Sequence, residues 1–173
     1  MVEFFIVEDQ MSLENFATEY RKTMSSFATG VTVVTTLDES KYIHGMTANS
    51  FTSVSLDPPT VLVCIGHTRN TITHVNNTNE FAINILSDKQ KHIADYFAKE
   101  QTNNIKPVEF NWSIKYGSPF IEGSIAFIKA NVIEKYNHGD HAIILGEVKG
   151  IDTQEGNPLL YYQSNYLFVP NSS

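Results

Sequence analysis

The chain has 173 residues, 42% of them hydrophobic, with a net charge of −7 and a pI near 5.3. That length suits one domain with a real core, and the acidic balance, without any run of lysine or arginine, speaks against nucleic acid or an anionic membrane as the main partner. A single cysteine, Cys64 in the apolar run VLVCIG, excludes an intramolecular disulfide framework, suits a reducing compartment and reads as a buried core thiol.

No apolar run approaches the ~20 residues of a membrane-spanning helix, and the N-terminal MVEFFIVEDQ is short, acidic and without a basic start, so the chain is expected in the cytoplasm. The Asn-x-Ser/Thr triplets at Asn76, Asn111 and Asn171 are then chance matches to a glycosylation signal. Residues 1–11 are a tail of mixed character with no assigned role, and a single domain is expected over 12–170. Ser12 opens a helix as its N-cap; Leu13, Phe16, Ala17, Tyr20, Met24 and Phe27 recur at helical spacing, and Gly30 closes it. Such an amphipathic helix packs on something. VTVVTT, residues 31–36, is rich in β-branched side chains, turns at Asp38-Glu39-Ser40 and returns over 42–48 as an antiparallel strand.

The stretch GMTANSFTSVSLDPPTVLVCIG, residues 45–66, reads as strand, polar elbow, strand, and is the expected ligand-binding centre. Thr47, Asn49, Ser50, Thr52, Ser53 and Ser55 crowd it with short polar side chains, which favour turns and leave backbone N–H groups open to a ligand. Pro58 and Pro59 force an extended geometry before a second strand over 60–65. HTRNTITHVNNTNEF then contains a short helix with Ile72 and Val75 on one side, capped by Thr68 or Asn70, and Arg69 at its start. A guanidinium beside a helix N-terminus suits phosphate, and a solvated surface arginine fits the same residues. FAINIL, residues 81–86, is a strand, and Ser87-Asp88-Lys89-Gln90 matches a capping box opening a helix that turns Ile93, Tyr96 and Phe97 inward. This corner, with Lys89 and Lys91, is a second candidate rim.

Residues 99–111 form the longest expected loop, a lid or a subunit contact. Strands over 112–116, 123–136 and 142–151 follow, the last two joined by the turn Asn137-His138-Gly139-Asp140, and Asn157-Pro158 leads into a final strand, LLYY. About seven largely consecutive strands against three short helices predict a closed or sandwiched antiparallel β domain. The chain lacks G-x-G-x-x-G, G-x-x-x-x-G-K-[ST], H-E-x-x-H, C-x-x-C and G-x-S-x-G, so a Rossmann site, a P-loop, zinc hydrolysis and the common serine hydrolase arrangement have no sequence support. His138 and His141 flank a tight turn without a third ligand, which argues against a metal. His141 reads either as a group projecting into a cleft, able to bond a carboxamide or phosphate, or as an exposed turn histidine.

The strings FATGVTVVTT, GMTANSFTSVSLDPPTVLVCIG, FAINILSDKQ, HGDHAIILGEV and PLLYY, in this order and at these intervals over residues 16–168, resemble the flavin reductase-like family, the small reductase components of two-component flavin-dependent monooxygenases. The resemblance implies a mainly β homodimer, an antiparallel FMN-binding split β-barrel with a few peripheral helices. It implies transfer of hydride from the nicotinamide C4 of NADH or NADPH to flavin N5, with reduced FMN or FAD passed to a partner oxygenase. Position by position, it implies that Met46, Thr47, Ala48, Asn49, Ser50 and Phe51 line the isoalloxazine, with Ser53 near the ribityl phosphate and Cys64, Ile65 and Gly66 beneath the ring. Arg69, Ser87 and Lys91 would lie toward phosphate or adenine, Phe97 would cover an edge, His141 would serve the nicotinamide side as the catalytic position, and Tyr161 or Tyr162 would approach that cleft. A split-barrel protein that binds FMN without nicotinamide turnover is the alternative, and a pyridoxamine-phosphate-oxidase-like enzyme is a third reading that rests on fold analogy alone.

Overall fold

The structure is a computed structural model, described over residues 12–99 and 108–169. The tail 1–11, residues 100–107 of the expected loop and the Asn171 triplet lie outside the described residues. Along the chain run α1 (Leu13–Ser25), β1 (Thr29–Gly30), β2 (Thr32–Leu37), β3 (Ile43–Ala48), β4 (Thr52–Leu56), β5 (Pro59–Gly66), α2 (Asn70–Thr78) and β6 (Glu80–Ile85). A short 3-10 turn (Asp88–Gln90) leads into α3 (Lys91–Ala98), followed by β7 (Trp112–Lys115), β8 (Ser118–Ile121), β9 (Ala126–His138), β10 (His141–Thr153), β11 (Leu159–Tyr162) and β12 (Asn165–Phe168).

Seven strands make one antiparallel sheet in the order β3-β2-β6-β9-β10-β5-β4. Its two edges, β3 and β4, are neighbours in sequence, joined only by residues 49–51. Three extended residues reach roughly 10 Å, whereas a flat sheet of this width would hold its edges roughly 29 Å apart at the usual strand spacing. The sheet therefore curls until its edges almost meet, giving the antiparallel split β-barrel. Consecutive residues of β2 show the two faces this creates. Val34 points into the barrel with Val63, Ile65, Phe81, Ile83 and Ile144, and with Ile72 and Val75 of α2. Val33 points outward into a second core with Leu86, Ile121 and Leu159, where α3 contributes Ile93, Ala94 and Phe97. A Cβ on Gly146 would lie 2.6 Å from the Phe81 ring, so the glycine is what lets that ring fill the barrel.

Several expectations change. The elbow contains a separate edge strand, β4, and the two prolines sit at its turn into β5, with a cis bond at Asp57-Pro58. Helix α1 keeps its Ser12 cap, whose hydroxyl accepts the Asn15 N–H at 3.3 Å, but ends at Ser25, and Gly30 belongs to β1 instead. None of its residues is buried, so the apolar face set by Leu13, Phe16, Tyr20 and Met24 has no cover among the described residues. The cap of α2 is Arg69, without a side-chain bond, rather than Thr68 or Asn70. Ser87 and Gln90 form both arms of the capping box, though it opens the 3-10 turn ahead of α3. Strands β1, β8 and β12 were not expected. The β8 segment is fixed from within by Asn84, fully buried, whose side-chain oxygen accepts the Ile121 N–H at 2.8 Å while its amide donates to Thr35 at 3.0 Å; Thr35 in turn donates to the Pro119 carbonyl at 2.8 Å. No helix among the described residues is long and apolar enough to cross a membrane.

Two contacts hold helices to the sheet and can be tested. Thr47 of β3 donates its hydroxyl to the Ala94 carbonyl of α3 at 2.7 Å. Thr47→Val keeps the shape and removes that bond, and thermal or denaturant unfolding should register a loss of about 0.5–1.5 kcal/mol. On the other side of β3, the His44 ring stacks on His74 of α2 with centroids 3.6 Å apart, and His44 Nε2 lies 2.9 Å from the Asp38 carboxylate. Burial, then the neighbouring His44, holds the His74 pKa below its ordinary value. The unfolded chain therefore takes up a proton at His74 that the folded chain resists, so stability is lost as pH falls through the ordinary histidine range near 6.5. Melting temperatures measured from pH 8 to 5 should fall more steeply for the wild type than for His74→Gln.

Candidate functional site

Where the curled edges approach, the end of β3, residues 49–50, the end of β5, the start of α2 and the β9–β10 turn enclose a cleft of about 390 Å³. It brings together Met46, Thr47, Ala48, Asn49, Ser50, Cys64, Gly66, Arg69 and His141 from the expected set, and adds Thr68 and Asp140. Two smaller lobes share Asn49 with it. One, of about 160 Å³, is walled by Tyr161 and Tyr166 beside Arg69 and Ala98; the other, of about 320 Å³, by Phe27, Thr29, Thr32, Phe51 and Ile85.

The remaining expected residues lie elsewhere, each for a local reason. Ile65 alternates with Cys64 and Gly66 along β5, so its side chain enters the barrel core and is fully buried. Phe97 is packed in the outer core, edge to face with Tyr96 and Phe110, and close approach to Gly45 holds it there rather than at a cleft edge. Ser53 is exposed on the edge strand β4. Ser87 lines a different and larger groove, about 760 Å³, along with Lys89, His92, Glu122 and Gln154. Lys91 is paired with Asp95 at 2.6 Å and lies over the Tyr166 ring, outside the cleft lining. Tyr162 follows Tyr161 on β11 and so projects from the strand's other face, away from the lobe that Tyr161 lines.

Most side-chain donors at the cleft are already engaged. The Thr47 hydroxyl serves Ala94, and Ser50 donates to the Cys64 carbonyl at 3.0 Å and accepts its N–H at 3.3 Å. Arg69 donates through Nη2 to the carbonyl of Ala98, the last residue of α3, at 2.9 Å, and leaves its other donors beside the cleft. Among the described residues, no main-chain carbonyl accepts from the amides of Asn49, Ser50 or Phe51. Cys64 lines the cleft half-buried, contrary to the buried core thiol expected of it, and burial pushes its pKa up, which disfavours the thiolate.

His141 faces Gly66 across the β5–β10 ladder. Its Nδ1 bonds the Asp140 carboxylate at 2.7 Å, and this bond, more than any other influence, holds the Asp140 carboxyl below its usual range. The bond orients the ring and leaves Nε2 toward Gly66, 3.7 Å from where a Cβ on that glycine would stand. Asp140 had been read only as a turn residue, and its place beside His141 in the Gly-Asp-His string was the signal available. Tyr166 carried none, because it reaches the lobe through the β11–β12 hairpin, of which the sequence pattern predicts only the first strand. No group of three or more metal-ligating side chains occurs among the described residues.

The arrangement is a cleft of small residues, open backbone amides and one guanidinium, with an oriented imidazole at the opposite rim. Residues 24–169 match the family described as flavin reductase like domain. An NADH-dependent flavin reductase from Rhodococcus is 36% identical over 148 residues, covering 84% of this chain and 82% of that protein. A flavin reductase (NADPH) from Lentzea aerocolonigenes is 38% identical, covering 84% and 85%. The solved structure of the styrene monooxygenase flavin reductase from Pseudomonas putida S12 superposes with a TM-score of 0.79 at 32% identity, covering 88% of this chain and 98% of that one. The chain belongs to the flavin reductase-like family.

Proposed function

We propose that this protein is an NAD(P)H:flavin oxidoreductase that delivers reduced FMN or FAD to a partner monooxygenase. The observation that carries the reading is the cleft itself, lined by Asn49 and Ser50, whose main-chain amides, like that of Phe51 beside them, meet no main-chain carbonyl among the described residues, and by small side chains from β3 and β5. A flavin fits this donor set, because its ring edge carries carbonyl and imine acceptors and its phosphate suits a guanidinium. The amides of Asn49, Ser50 and Phe51 would hold the ring edge, Ala48 and Gly66 would allow close approach, and Arg69 would meet the phosphate. When bound, a flavin supplies a two-electron acceptor for a nicotinamide hydride. The protein's part is to stack the two rings and exclude water, with His141 oriented by Asp140 to bond the carboxamide or phosphate of the nucleotide. Relatives named for NADH and for NADPH leave both nucleotides in the proposal.

A homodimer belongs to the same reading. Exposed apolar residues on α1 and on the edge strand β4, among them Leu13, Phe16, Val54 and Leu56, need cover, and Phe27 beyond α1 borders the lobe that Asn49 shares.

Purified protein mixed with NADH or NADPH and FMN, FAD or riboflavin should show flavin-dependent loss of absorbance at 340 nm for at least one pair, and no oxidation with any pair would sink the proposal. His141→Ala should lower kcat/KM for the nucleotide about 10- to 100-fold, the scale of one hydrogen bond to a charged group. Flavin binding without nucleotide oxidation by the wild type would favour the storage alternative. In analytical ultracentrifugation the wild type should sediment as a dimer and Phe16→Asp should shift toward monomer; a monomeric wild type would remove the dimer from the proposal.

A further inference from the structure

Ser50 does something in this barrel that its place in a ligand-binding string does not suggest. Strands β4 and β5 pair with Thr52 opposite Leu62 and Ser53 opposite Val61. Continued in the same register, that ladder would set Ser50 opposite Cys64, and two main-chain bonds would follow. The structure has instead a single side chain in their place. The Ser50 hydroxyl donates to the Cys64 carbonyl at 3.0 Å and accepts the Cys64 N–H at 3.3 Å, so it fills both positions that a strand neighbour would fill. The main chain of residues 49–51 is thereby held one side-chain length off the sheet edge. Its amides meet no main-chain carbonyl among the described residues, and Asn49 and Ser50 line the cleft together with Cys64. A backbone N–H must be satisfied by something, and here that leaves water or a ligand.

We propose that Ser50 is a positioning residue whose hydroxyl stands in for a strand rung, keeping the amides of residues 49–51 out of the sheet and available to the flavin. The inference rests on the flavin reading above. It differs from a direct contact between the Ser50 side chain and the ligand, since the hydroxyl's proton and one of its two lone pairs are committed to Cys64. Without the hydroxyl, the Cys64 N–H and carbonyl open to water and residues 49–51 lose the bracket that holds their main chain off β5, so their amides are no longer kept at the cleft.

The test uses the full chain and FMN as the probe. Flavin fluorescence titration should give a Kd about tenfold higher for Ser50→Ala and within about twofold of wild type for Ser50→Thr, which keeps the hydroxyl. In steady-state turnover the Ser50→Ala loss should fall more on the flavin KM than on kcat, a split that general destabilisation would not produce. In ligand-free protein, hydrogen exchange should show the Cys64 amide losing protection in Ser50→Ala and keeping it in Ser50→Thr. A wild type that binds FMN while Ser50→Ala binds it equally well overturns the role of Ser50 alone, as does unchanged Cys64 exchange. A wild type that binds no flavin overturns the functional reading and this role with it. Should Ser50→Ala not fold, Ser50→Cys, a weaker donor of similar shape, should weaken FMN binding in the same direction, and a wild-type Kd there overturns the role equally.

Discussion

Everything about this molecule depends on one constraint of chain connectivity. The strands at the two ends of a seven-stranded sheet are consecutive in sequence, with three residues between them. A link that short forbids a flat sheet, and the twist natural to antiparallel strands supplies the direction in which to curl. The same link cannot itself join the ladder on both sides, because it is crossing from one edge to the other. There the amides of residues 49–51 meet no main-chain carbonyl among the described residues, and the cleft lies beside them.

The rest of the structure keeps that crossing rigid. On one side, α3 is bound to β3 through Thr47 and packed through Ile93, Ala94 and Phe97. On the other, α2 is anchored by Ile72 and Val75 in the barrel, and Arg69 at its start reaches the end of α3. The two helices are thus linked to each other across the cleft mouth as well as to the sheet. Asn84 does comparable work inside, since a buried amide with every bond met ties β6, β2 and the β7–β8 hairpin into one arrangement and penalises any other register.

How much of this was legible depends on whether the information is local. The strands FAINIL and VTVVTT, the Ser12 cap and the Ser87–Gln90 box declare themselves in a few residues, and the structure contains them. The resemblance in ordered strings carried the family and the barrel, and the segment 46–50 and His141, far apart in sequence, do share one cleft. Where the structure sets residues apart from the cleft, faces and register decide it. The resemblance sets Ile65 beneath the ring with Cys64 and Gly66, although a strand sends neighbours to opposite sides. The resemblance sets Ser87 and Lys91 toward phosphate or adenine, but the capping turn swings Ser87 toward another groove and Asp95 engages Lys91. Strand β4 was hidden inside the elbow because serines and threonines fit a turn as readily as an exposed edge. Helix α1 is the reverse case, where the amphipathic pattern is plain and its cover is not within the described chain.

The protonated state of Cys64 has a meaning for durability. Reduced flavin reacts with molecular oxygen to give peroxide, and an enzyme that makes reduced flavin works beside that oxidant. The attack of peroxide on cysteine proceeds through the thiolate, and the first product, a sulfenic acid, leads on to irreversible forms. With its pKa raised by burial, the one sulfhydryl in this cleft presents little thiolate at neutral pH. A small wall element of the cleft is thereby kept without adding a site at which that peroxide could readily oxidise the protein.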